Sequence, residues 1–190
     1  MSHIKILEPE LAPDSVRAVY SDFYRRMSFP AAPNFIKVQG HSPSAVQGSW
    51  DLVRNVLVMG KIPRYVKEML FVAISKKRGC SYCEAAHVAC CRMLGVDQKL
   101  LHRLVSDIGG MADYRLRDML LFGLKCASEP RAINEGDFGV LRRHGLDDSE
   151  IVELIAMSAL AVYANIMADA TAVPPDAMFA EVGAAKSAGG

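Results

Sequence analysis

EMLFVAISKKRGCSYCEAAH, residues 68–87, decides the architecture because it contains two helical segments and the break between them. Its first half is apolar at helical spacing and ends in the basic run Lys76, Lys77 and Arg78, which suits the negative end of a helix dipole. Gly79 follows, the residue that most readily takes the left-handed conformation closing a helix. Cys80 then falls at the start of a second helix, where unpaired backbone N–H groups gather. A break this short predicts an αα-hairpin, two antiparallel helices packed side by side.

Outward from the hairpin, nearly every periodic stretch reads as helix. Residues 13–27 open on an Asp14/Ser15 cap signal and stop before a Pro30/Pro33 loop. Residues 41–60 begin with Ser42 as N-cap and Pro43 in the first turn, where proline is tolerated. Further helices are expected over 62–79, 81–95, 96–107, 113–128, 134–145 and 147–170. No run joins strict alternation to β-branched enrichment over strand length, so the predicted class is all-α. A weak internal echo aligns 64–74 with 115–125 and 91–104 with 141–154, suggesting two similar helical units of which only the first carries reactive residues. The expected organisation is a helical arm over 1–32, a helical domain over 33–180, and a small, polar tail over 181–190 that frays.

Composition bounds the function. The 190 residues are 51% hydrophobic and 23% charged with net charge +1, so neither a nucleic-acid footprint nor a polybasic membrane patch is visible. MSHIKILEPE has no apolar run resembling a secretion signal, and the other apolar stretches read as too interrupted to span a bilayer. A cytoplasmic protein without nucleic-acid or membrane partners is expected. In that compartment closely spaced cysteines suggest redox or metal chemistry rather than structural disulfides, and five cannot all pair within one chain. Ten methionines and the apolar run 153–168 predict a homo-oligomer.

Cys83 and His87, four apart, share one helix face, and Cys80 lies one turn earlier on the same stripe. The helix start favours thiolate at Cys80, lowering a cysteine pKa from about 8.5 in dithiol motifs. An imidazole on that face can take up a thiol proton. Glu68 would lie about 18 Å from Cys80 along one unbroken helix, but the break at Gly79 folds it back towards the cysteines. Among Met69, Leu70, Phe71 and Val72 it is placed to exchange protons. Zinc offers another use for Cys80, Cys83 and His87, although three ligands leave a structural site one short. Cys90, Cys91 and Cys126 read as small buried hydrophobes, and His3, His41, His102 and His144 as structural or solvent-facing.

Together Glu68, Cys80, Cys83 and His87 form the pattern Glu-x11-Cys-x2-Cys-x3-His, which resembles the alkylhydroperoxidase D core of the carboxymuconolactone decarboxylase superfamily. PNFIKVQGHSP, the Tyr82-Cys83 pair, MLGVD and RHGLDDSEIVELI…ANIMADA fit the same family, and the arm resembles its peroxidase-related branch. The resemblance implies an all-helical, oligomeric thiol peroxidase with no cofactor. Cys83 would attack a hydroperoxide substrate, Cys80 would resolve the sulfenic acid as a disulfide, and His87 with Glu68 would relay protons. A lipoyl- or thioredoxin-like dithiol protein would restore the enzyme. Some members carry histidine where this chain has Tyr82, a poor base at neutral pH but a capable hydrogen-bond donor. Two alternatives stand beside this reading: a carboxymuconolactone decarboxylase-type lyase acting on a small lactone acid through His87 and Glu68, and a non-catalytic, zinc-stabilised helical scaffold.

Overall fold

The computed structural model describes residues 2–179, among which there is no β-strand. The tail expected at 181–190 lies outside the described residues. Among the described residues the α-helices are α1 (Asp14–Met27), α2 (Asn34–Gln39), α3 (Pro43–Leu52), α4 (Arg64–Arg78), α5 (Ser81–Met93), α6 (Gln98–Ser106), α7 (Tyr114–Ser128), α8 (Glu135–Arg143) and α9 (Asp148–Thr171). A π-helical segment, Val53–Val58, continues α3. All-α is therefore the observed class.

Most helix ends carry the chemistry their sequences advertise. Ser42, Asp97, Asp113, Asn134 and Asp147 accept backbone N–H groups at the starts of α3, α6, α7, α8 and α9, and the last two form capping boxes. The signal at Asp14/Ser15 is an exception: Pro13 holds the cap position of α1 and no side-chain cap bond forms there. Gly79 takes φ 77° between α4 and α5, the left-handed turn on which the hairpin depends. The two halves of the internal echo share a device, since Gly95 and Gly145 both turn left-handed (φ 81° and 80°) just before an aspartate-capped helix.

Helix α4 is the spine of the molecule. Ten of its residues are buried, and it packs against α5, α7 and α9. Gly123 of α7 lets that helix approach closely, because a Cβ there would lie 2.5 Å from a Leu70 methyl. Segment 1–32 contributes Val16, Val19, Tyr20, Phe23 and Met27 to the same continuous core. One expectation is corrected at α9: by length and apolarity its 24 residues would suffice to cross a bilayer, contrary to the reading of its sequence as too interrupted. Half of its apolar window is instead buried in the protein, because α9 is a central packing partner of α4 and α7.

Two elements depart from the sequence reading. The stretch after Pro33, which no expected helix includes, forms the short helix α2 and buries Phe35, Ile36 and Val38. The segment read as the continuation of a helix over 41–60 widens into the π-helical turn. Lys67 explains how that wider turn ends, since its buried ammonium donates to the carbonyls of Val56 (2.8 Å) and Met59 and pairs with Glu153. Polar groups left free by the irregular backbone are thereby satisfied.

Candidate active site

The hairpin does what its sequence suggested. Glu68 of α4 returns to α5, where its Oε2 lies 2.5 Å from Nδ1 of His87. Glu68 is fully buried, and its other oxygen accepts from Nε of Arg64 at 3.0 Å. The setting is thus less apolar than the neighbouring Met69 and Leu70 implied. A guanidinium one turn before Glu68 holds the carboxylate charge in place, a pairing readable from the i, i+4 spacing and missed in the sequence. His87 is fixed in plane by stacking on Phe71, with ring centroids 3.5 Å apart.

Cys80 is the N-cap of α5 and completely buried; Cys83 is nearly so. Both are free thiols, and each shifts the other's titration. The thiol pair is not acidic at the position the helix start alone suggested. The neighbouring Cys80 thiol lowers the Cys83 pKa, aided by the Asn165 amide and opposed by burial. The same interaction, with burial, pushes Cys80 up. Of the two, Cys83 is the better placed to carry a thiolate, since the Asn165 amide donates to it while Asp169 disfavours a charge at Cys80. Cys83 Sγ also lies 3.8 Å from the carbonyl of Ala164 on α9.

A small cavity of about 50 Å³ joins these groups. Cys83, Ala86, His87 and Cys90 face it along one stripe of α5. Its other walls are apolar: Phe23, Phe29, Phe35, Phe71 and Phe179, with Val53 and Leu57 of the π-helical turn. His87 and Cys83 meet across this space rather than through a bond of their own, since the imidazole's hydrogen bond goes to Glu68. A small oxygen-bearing molecule in the cavity would touch both.

Tyr82 is the hydrogen-bond donor its phenol allows, directed at Asp176. Its hydroxyl donates to Asp176 Oδ2 at 2.6 Å and accepts the Phe35 N–H at 3.1 Å. Burial and the nearby Asp176 charge push its pKa well up, so it serves as a tether and not as a base. Asp176 also accepts the Asn34 N–H, linking the chain after α9 to the start of α2 and so fixing the aromatic wall. Cys90, read as a core hydrophobe, is buried as expected but stands at the cavity beside Glu68 and His87. Burial, then the Glu68 charge, pushes its thiol pKa well up. Among the described residues, Glu68, His87 and Cys90 are the one group whose donor atoms cluster as metal ligands would; Cys80, Cys83 and His87 do not.

No family model matches the sequence. The fold is similar to an alkylhydroperoxidase AhpD core, an uncharacterized peroxidase-related protein from Ralstonia eutropha JMP134, with TM-score 0.85, 26% identity and 94% of each chain covered. An uncharacterized peroxidase-related protein from Silicibacter sp. TM1040 has TM-score 0.81 and 25% identity, with 94% of this chain and 93% of that one covered. The debrominase Bmp8, in complex with 2,3,4-tribromopyrrole, shares the fold at TM-score 0.80 and 18% identity, covering 94% of each chain. By sequence, 87 residues are 26% identical to an alkyl hydroperoxide reductase of Mycobacterium tuberculosis; the match spans 46% of this chain and only a quarter of that protein's length.

Proposed function

We propose that this chain, an alkylhydroperoxidase D-like member of the carboxymuconolactone decarboxylase superfamily, is a thiol-dependent hydroperoxide reductase working through Cys83 and Cys80. One observation carries the reading: the polarised thiol pair and the Glu68–His87 pair open, through Cys83 and His87, into the same apolar cavity.

The steps follow from that placement. A hydroperoxide enters with its organic group against the phenylalanines and its O–O bond between Cys83 and His87. The Cys83 thiolate attacks the outer oxygen, the O–O bond breaks, and the departing alkoxide takes a proton from the imidazole held by Glu68. Alcohol leaves and Cys83 is a sulfenic acid. Cys80 then attacks that sulfur, expelling the hydroxyl as water with the Cys80 proton and forming the Cys80–Cys83 disulfide. A dithiol donor takes the bond apart by exchange. In sum, one hydroperoxide and one dithiol give alcohol, water and one disulfide.

The aromatic walls support a second reading, reductive removal of halogen from an aryl ring, with the debrominase as fold neighbour. There the same dithiol supplies two electrons, and an aryl bromide becomes arene and bromide. A superfamily lyase, by contrast, would need neither cysteine.

The test is consumption of organic hydroperoxide with several dithiol donors, run on wild type, Cys83→Ser and the double variant Cys80→Ser/Cys83→Ser, alongside bromide release from an aryl bromide. Wild type is expected to consume peroxide, and Cys83→Ser to lose that activity. Peroxide consumption surviving in the double variant, or both thiols found free by peptide mapping after one equivalent of peroxide, overturns the proposal.

A further inference from the structure

We propose that Glu68, His87 and Cys90 form a binding site for one soft divalent transition-metal ion, zinc or cobalt, on the inner wall between α4 and α5. The donor set is a carboxylate oxygen, an imidazole nitrogen and a sulfur, the mixture that selects such ions over calcium or magnesium. All three donor atoms lie within 4.8 Å of one another. Around a tetrahedral zinc the same atoms stand about 3.3–3.5 Å apart, so side-chain movements of about 1 Å complete the cage.

The surroundings already orient two of the ligands. Arg64 occupies Oε1 of Glu68 and leaves Oε2 facing the imidazole, while Phe71 holds the His87 ring in plane. Such supporting contacts fix ligand geometry in metal sites generally. The Glu68 carboxylate and a Cys90 thiolate offset the charge of a dication, leaving the single positive charge of Arg64 beside them; the Cys90 proton leaves to solvent on binding. His87 and Cys90 both face the cavity, so a water there takes the fourth position. Cys90 also lines a second pocket, together with Met27, Ser28, Arg64, Met93 and Leu94.

This site is separate from the zinc arrangement expected from the sequence, in which Cys80 and Cys83 were ligands. It needs nothing from the peroxidase reading, although the two uses exclude each other: an ion held by Glu68 and His87 takes away the pair that would hand on the proton.

The experiment uses the full chain, reduced and free of added thiol, titrated anaerobically with cobalt(II). A sulfur-to-cobalt charge-transfer band with tetrahedral d–d intensity, saturating at one equivalent, is expected for wild type and for Cys80→Ser/Cys83→Ser. Cys90→Ser is expected to lose the band, with zinc affinity by calorimetry at least about 100-fold weaker. Should Cys90→Ser lose helix content, His87→Gln reads the same loss. A band that survives in the variant lacking a ligand, disappears in Cys80→Ser/Cys83→Ser, or never forms in wild type overturns the site. Peroxidase activity enters none of these readouts.

Discussion

Replacing Cys80 in two ways isolates the bond that polarises the thiol pair. The Cys80 thiol, acting as a hydrogen-bond donor, is the largest influence lowering the Cys83 pKa. Cys80→Ala deletes the donor; Cys80→Ser keeps a hydroxyl in its place. A hydrogen bond to a charged group is worth about 1.5–3 kcal/mol, which corresponds to about a 10- to 150-fold change in thiolate population. Both sulfurs are buried, so solvent screening takes little from that figure. Alkylation of Cys83 by iodoacetamide, followed against pH with peptide mapping to separate it from the other cysteines, reads the thiolate directly. At pH 7 the Cys80→Ala protein should be alkylated about 10- to 150-fold more slowly than Cys80→Ser, with the two rates converging at high pH. Equal rates across the whole pH range would mean that Asn165 and the helix start set the acidity without Cys80, and the argument for Cys83 as nucleophile would lose its basis.

Two further perturbations follow from buried charges. Lys67→Met removes the ammonium that caps Val56 and Met59 and pairs with Glu153. Leaving that carboxylate and two carbonyls without their partner should cost about 3–5 kcal/mol, read as a lower denaturant midpoint at unchanged slope. Asp176 has its pKa raised by burial. A carboxyl raised on folding binds more protons folded than unfolded, so its contribution to stability is greatest at low pH and declines as pH rises above 3.8 towards the folded value. Asp176→Asn keeps an acceptor for Tyr82 while removing the titration. Denaturant midpoints from pH 4 to 7 should therefore decline less, or climb more, in the variant than in wild type; parallel curves would refute the assignment.

Local signals carried most of the architecture. Gly79, the basic run before it and the caps at Ser42, Asp97, Asp113, Asn134 and Asp147 all act within a few residues, so their sequence is their mechanism. The return of Glu68 to His87 was legible for the same reason, since one glycine sets the fold-back. Arg64 beside Glu68 was equally local and was overlooked. What stayed hidden depends on distance. Tyr82 finds Asp176 94 residues away, Cys83 finds Asn165 and Ala164 on α9, and no spacing rule announces such meetings. Cys90 looked like any buried cysteine because its meaning lies in what faces it. The π-helical turn has no compositional signature, as its wider spiral is held by a lysine in another helix. α2 lacked a side-chain cap to mark its start.

Lys67 and Glu68 are neighbours in sequence, both buried, and each is tied down on its own side of α4: one to the irregular wall, the other to the imidazole. Sliding or spinning that rod by a single position would swing every side chain through about 100° and break both moorings at once. Adding or deleting one residue between 67 and 87 would thus be felt simultaneously at two places that share no atoms. A change of length in this stretch is therefore expected to cost far more than the exchange of one side chain for another.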